Sequence, residues 1–122
     1  MAVGANAIDW VQLALALREP EIEILRAIYL PEPGRRTFRE IYQRLERLGF
    51  SSRSARRKIA NLADQHLVTR VYSVLGFAGP NLDQAGRVKA LLQFLERRRQ
   101  YPNPSAPITE ELALLLSDEV VK

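Results

Sequence analysis

Arg53, Arg57 and Asn61 stand four residues apart in a chain of 122. On a helix, that spacing climbs one face. The side chains suit one kind of chemistry. A guanidinium can give two parallel hydrogen bonds to guanine or phosphate, and an asparagine amide can pair with adenine in the same two-pronged way. Each well-placed pair contributes about 1–3 kcal/mol of discrimination between bases. Stepping about 100° per residue from Ile59, taken as the centre of the buried face, turns Arg57 and Asn61 directly outward. Arg53, Ser54 and Asp64 lie beside them, and Arg56 and Lys58 fall on the flanks. Ser54 suits base or phosphate, and Ser52 joins the set at the helix start. Arg56 and Lys58 would meet phosphates and supply affinity without sequence information. Arg35, Arg36 and Arg39 cluster at the start of the preceding helix, where backbone amides also attract phosphate.

The charge is focused there. Arg35 to Lys58 holds nine basic residues and two acidic ones, a local +7. The whole chain is +4, which leaves −3 for the rest. A basic helix pair of this kind is the electrostatic footprint of a nucleic-acid binder. The bland alternative is a solvated helix face. Arginine outnumbers lysine fifteen to three; a GC-rich or thermophilic source produces the same bias, so the clustering carries the weight.

Other chemistries find little support. The chain has no cysteine and one histidine, so no zinc set can be assembled and no metal or cofactor is expected. His66 is expected on the buried side of its helix as a packed residue. Ser51, Ser52 and Ser54 have no base in sight. Gly76 and Gly79 do not form a phosphate loop ahead of a helix. Glu110-Glu111 and Asp118-Glu119 read as solvated acids. No enzyme is expected. The apolar run Trp10 to Leu17 is too short to span a bilayer and no basic leader precedes it. The expected place is the cytoplasm, in association with the nucleoid.

The elements that position these residues follow from periodicity and caps. Asn6 to Leu17 predicts a helix apolar on two sides, with Ile8, Val11 and Leu15 on one stripe and Trp10, Leu13, Ala14 and Leu17 on another. Glu19-Pro20-Glu21 starts a second helix with core face Ile22, Leu25, Ile28 and Tyr29. Pro31-Glu32-Pro33-Gly34 ends it. Thr37 with Glu40 has the form of a capping box, followed by Phe38, Ile41, Leu45 and Leu48 on one face. Gly49 closes that helix in a left-handed cap, and Ser51 or Ser52 opens the next, whose buried face is Ala55, Ile59, Leu62, Ala63 and His66. Leu67 to Ser73 predicts a strand, with a hairpin through Gly76 and Gly79. Asp83 caps a long helix to about Gln100, with Val88, Leu91, Leu92, Phe94 and Leu95 inward. Arg97-Arg98-Arg99 sits at its negative end. Pro102, Pro104 and Pro107 mark a linker, and Thr109 caps a short helix, Glu110 to Ser117.

The order helix, helix, turn, helix, hairpin, long helix resembles the winged helix-turn-helix transcription regulators, particularly the MarR and PadR type, over Glu21 to about Arg99. Three stretches carry the resemblance. They are Phe50-Ser51-Ser52-Arg53-Ser54-Ala55-Arg56-Arg57, Asn61-Leu62-Ala63-Asp64-Gln65-His66-Leu67-Val68, and Leu82-Asp83-Gln84-Ala85-Gly86-Arg87. Two departures stand out. His66 occupies a place where the family usually has glycine. The wing, Val74 to Gly79, is apolar, so only Arg70 on its strand offers a cation, and the tip points toward a partner subunit or another protein.

The resulting expectation is a mainly α fold with a small β-hairpin wing. Residues 1–100 form a winged helix-turn-helix domain with flanking dimerisation helices, and residues 101–122 a proline-rich linker with a short helix. Trp10, Leu13, Leu17, Leu91, Leu92 and Leu95 would form the homodimer interface. Arg35, Arg36, Arg39, Ser52, Arg53, Ser54, Arg56, Arg57, Lys58, Asn61 and Arg70 would contact double-stranded DNA. The expected function is transcription regulation, more simply repression. Two alternatives stay open: a plasmid-partition, replication or virus-encoded protein that spreads along DNA, and a winged-helix module that binds protein. Trp10 could also stack on a small-molecule effector.

Overall fold

Ile24, Leu25, Ala27, Ile28 and Tyr29 are all buried, so the helix that carries them must be covered on more than one side. The computed structural model describes residues 10–71 and 76–100, with side chains to residue 97. Its elements are α1 (Trp10–Ala16), α2 (Glu19–Tyr29), β1 (Arg36–Thr37), α3 (Phe38–Glu46), α4 (Ser52–Asp64), β2 (Val68–Val71), β3 (Phe77–Pro80), a 3-10 turn (Leu82–Gln84) and α5 (Ala85–Gln100). The described chain is mainly helical with a small three-stranded antiparallel sheet. Among the described residues no helix is long and apolar enough to cross a membrane. Ile8 and the other residues expected to begin the first helix lie outside the described residues. So do Ser73, Val74, Leu75, the proline linker and the Glu110 to Ser117 helix.

The central helix is α2, which packs against α3, α4, α5 and β3. That explains why its buried arc is wider than the expected stripe. Ile24 and Ala27 join the core, while Ile22 is only half-buried. Ile41 and Leu45 of α3, Ala55, Ile59 and Leu62 of α4, and Val88, Leu91, Leu92 and Phe94 of α5 close around it. Each fully buried leucine or isoleucine stabilises the fold by about 1.5–3 kcal/mol relative to exposure. Two leucines expected in covered positions are not in it. Leu48 is exposed because it follows the last turn of α3, and Leu15 of α1 is exposed too.

The sheet order is β1–β3–β2. The expected hairpin is there as β2 and β3, and β1 adds a third strand. Gly76 to Gly79 are not a projecting tip. Phe77, Ala78 and Gly79 belong to β3 between the other two strands, and Ala78 is fully buried. Gly76 is left-handed, with φ +69°, and a Cβ there would lie 2.8 Å from the Phe38 ring. Only glycine lets the strand meet the start of α3 so closely.

Helix ends follow the expected chemistry with three changes. Thr37 accepts from the Glu40 amide at 3.1 Å, and its hydroxyl donates to the Glu40 carboxylate at 3.1 Å, so the capping box is half made. Ser51 caps α4, accepting from the Ser54 amide at 3.2 Å. Asn81, rather than Asp83, caps the turn before α5, accepting from the Asp83 amide at 3.2 Å. The third change is His66. It is exposed, not buried, and left-handed with φ +63°. It ends α4 as Gly49, with φ +90°, ends α3.

Candidate nucleic-acid interface

The outward face of α4 is built by its inward face. Ala55, Ile59 and Leu62 lock the helix against the core, and Arg53, Arg56, Arg57 and Asn61 are exposed on the other side, with Ser52 at the first position. The helical spacing therefore sorts these residues as expected. Ser54 is half-buried. The side chains of Arg53, Arg57 and Asn61 have no hydrogen-bond or ion-pair partner among the described residues. Residues 47–51 join α3 to α4, and Phe50 among them packs on the core.

Two cations of the basic segment are held inside the fold. Lys58 lies 3.5 Å from Glu21, with both side chains mostly covered. It therefore braces α4 against α2 rather than standing free toward a phosphate wall. Arg44 gives Glu23 two contacts, Nη2 at 2.8 Å and Nε at 2.9 Å, and braces α3 in the same way. Glu21 and Glu23 are two residues apart on α2 and so project to different sides of it, Glu21 toward α4 and Glu23 toward α3. These ion pairs are partly exposed and contribute modestly to stability. Their larger effect is orientation.

Arg36 and Arg70 form a second group at the sheet. Arg36 and Arg70 both pair in register with Ala78 on the middle strand. Opposed residues of antiparallel strands share a face, so the sheet sets Arg36 and Arg70 in one row, 34 residues apart in sequence yet flanking one alanine. Both are half-buried. Arg36 also donates to the Arg35 carbonyl at 2.8 Å. Arg35 and Arg39 are exposed, Arg39 in the first turn of α3.

One residue escaped the sequence reading. Tyr42 of α3, with Ser52, Arg53, Arg56, Arg57 and Ala60 of α4, lines an open depression of about 530 Å³. The signal was present but faint: Tyr42 lies four residues after Phe38, and the two rings meet with centroids 6.1 Å apart.

The expected dimer residues divide. Leu13, Leu91 and Leu92 are buried within one chain, so their apolarity is met without a partner. Trp10, Leu17 and Leu95 keep partial exposure. Leu95 and Leu92, with Ile22, floor a groove of about 420 Å³ between α2 and α5, rimmed by Glu19, Glu23, Arg26 and Glu96. Arg26 and Glu96 meet across it at 3.7 Å. The Arg98 and Arg99 side chains lie outside the described residues.

No family model matches the chain, and no curated protein or solved structure matches it significantly.

Proposed function

We propose that this protein binds double-stranded DNA as a winged helix-turn-helix transcription regulator, with α4 entering the major groove. The observation that carries the reading is the unpaired line of Arg53, Arg57 and Asn61 along a helix whose opposite face is locked in the core. Free bidentate donors on a rigid element suit base edges, whereas the same groups already paired would have to break bonds first. The succession α2, α3, short turn, α4, β2–β3 hairpin and α5 supports the winged form. Arg56, Arg39 and the Arg36–Arg70 row supply phosphate contacts. A two-fold dimer, using the partly exposed Trp10, Leu17 and Leu95, would place two copies of α4 about one helical turn apart on a palindromic site. Repression then follows by occlusion of a promoter. Sedimentation equilibrium tests the dimer; a monomer at micromolar concentration sinks it.

The DNA reading is tested by fluorescence anisotropy with pooled random duplexes across salt concentration, for the wild type and for Arg57→Ala with Asn61→Ala. The expected result is a steep fall of log K with log salt, about −0.9 per phosphate contact. Selected sequences should bind at least ~10³-fold tighter than bulk DNA, and the double variant should lose that preference. Absence of binding near physiological salt overturns the proposal.

A further inference from the structure

The depression between α3 and α4 has a lining that fits one kind of guest. Its polar side chains are Tyr42, Ser52, Arg53, Arg56 and Arg57, and Ala60 leaves space among them. Among the described residues no carboxylate lines it. The lining is therefore rich in donors and carries three positive charges, the complement of a group that only accepts. The Tyr42 hydroxyl has no hydrogen-bond partner among the described residues. Its ring is held against Phe38, so the hydroxyl is directed by packing rather than by a bond of its own.

Position argues for phosphate over a base edge. When a helix-turn-helix docks, its second helix enters the major groove and its first crosses the sugar–phosphate strand. Tyr42 is on the first helix, and it lines the depression beside the N-terminal half of α4, with Ser52, Arg53, Arg56 and Arg57. A volume of about 530 Å³ with an open mouth admits a phosphodiester with its neighbouring sugars.

We infer that this depression seats one phosphate of the DNA backbone, with Tyr42 donating a hydrogen bond to it and Arg56 neutralising it. The inference rests on the DNA reading above and adds a contact from α3. Tyr42 thereby sets how deep α4 sits in the groove, because it ties the helix pair to a fixed point on the strand.

The test is a double-mutant cycle of Tyr42→Phe and Arg56→Ala, read by anisotropy on a random-sequence duplex across salt, with thermal melts to confirm that each variant folds. Tyr42→Phe should weaken binding about three- to tenfold, as expected for one lost hydrogen bond, with the salt slope unchanged. Arg56→Ala should reduce the slope by about 0.9, one phosphate's worth. The pair should be non-additive, since both groups hold the same oxygen cluster. If Tyr42→Phe binds like the wild type, or the two losses simply add, the seat is refuted while salt-dependent binding by the wild type keeps the DNA reading. If the wild type itself shows no salt-dependent binding, both fall.

Discussion

The exits of α3 and α4 have the same hydrogen-bond geometry built from different residues. At the first, Phe50 N–H reaches Leu45 C=O at 3.0 Å and Gly49 N–H reaches Glu46 C=O at 2.9 Å. At the second, Leu67 N–H reaches Leu62 C=O at 3.0 Å and His66 N–H reaches Ala63 C=O at 3.0 Å. Both are Schellman caps with a left-handed residue before an apolar one. Glycine takes that conformation freely. Histidine carries the steric cost of a Cβ there, about 1–2 kcal/mol. The second exit is held from outside. Asn81 Nδ2 donates to the His66 carbonyl at 2.8 Å. The Tyr29 hydroxyl donates to the Leu67 carbonyl and accepts from the Asn81 amide at 2.9 Å. One turn is thus specified locally; the other is imposed by α2 and the segment before α5.

That contrast can be broken most forcefully at Tyr29. Tyr29→Phe leaves the Leu67 carbonyl and the Asn81 amide without their buried partner. It should cost about 2–4 kcal/mol, seen as a lower urea midpoint at unchanged slope. An unchanged midpoint would mean that the second exit stands without outside support. Asn81→Ala removes the His66 contact and the cap at Asp83 together, and should cost about 1–2 kcal/mol by the same measurement.

Reciprocal substitutions at the two left-handed residues sharpen the comparison. Gly49→Ala should destabilise by about 1 kcal/mol, through backbone conformation alone. Nothing lies within 4 Å of the Cβ it would add. His66→Gly should have the opposite sign and stabilise by about 0.5–1 kcal/mol in thermal melts, relief of strain outweighing the entropy added to the unfolded chain. Equal signs would show that the two exits are not equivalent.

The smallest effect is one of pH. Burial pushes the Tyr29 hydroxyl above the ordinary tyrosine value, and the hydrogen bond from Asn81 opposes this in part. The folded chain therefore keeps a proton that the unfolded chain releases above about pH 10. The stability from this group is complete below about pH 10 and is lost as pH rises through the folded value. The advantage of wild type over Tyr29→Phe should shrink in denaturant titrations above pH 10.

Much of the α3–α4 segment was legible because its signals are local. Gly49, Ser51 and the Ala55, Ile59, Leu62 row each act within a few residues. So did the outward set of Arg53, Arg57 and Asn61. What stayed hidden depends on distant partners. β1 has two residues, too few for alternation to show, and exists through pairing with Phe77 and Ala78. Gly76 to Gly79 looked like a loop tip because small residues mark turns as readily as they mark a crowded middle strand. His66 looked buried because helical periodicity was carried two residues beyond the helix. Lys58 and Arg44 counted as free charge because Glu21 and Glu23 lie 37 and 21 residues away.

Tyr29 has one more effect, on time rather than on equilibrium. Its hydroxyl bridges 38 residues to Leu67 and 52 to Asn81. Contacts at such separations must close long loops, so they form after the helical turns that they tie together. Interactions absent from the folding transition state govern the rate of escape from the folded state. Without the hydroxyl, this protein should refold nearly as fast as before but unfold sooner, which makes one phenol oxygen a determinant of the lifetime of the folded molecule.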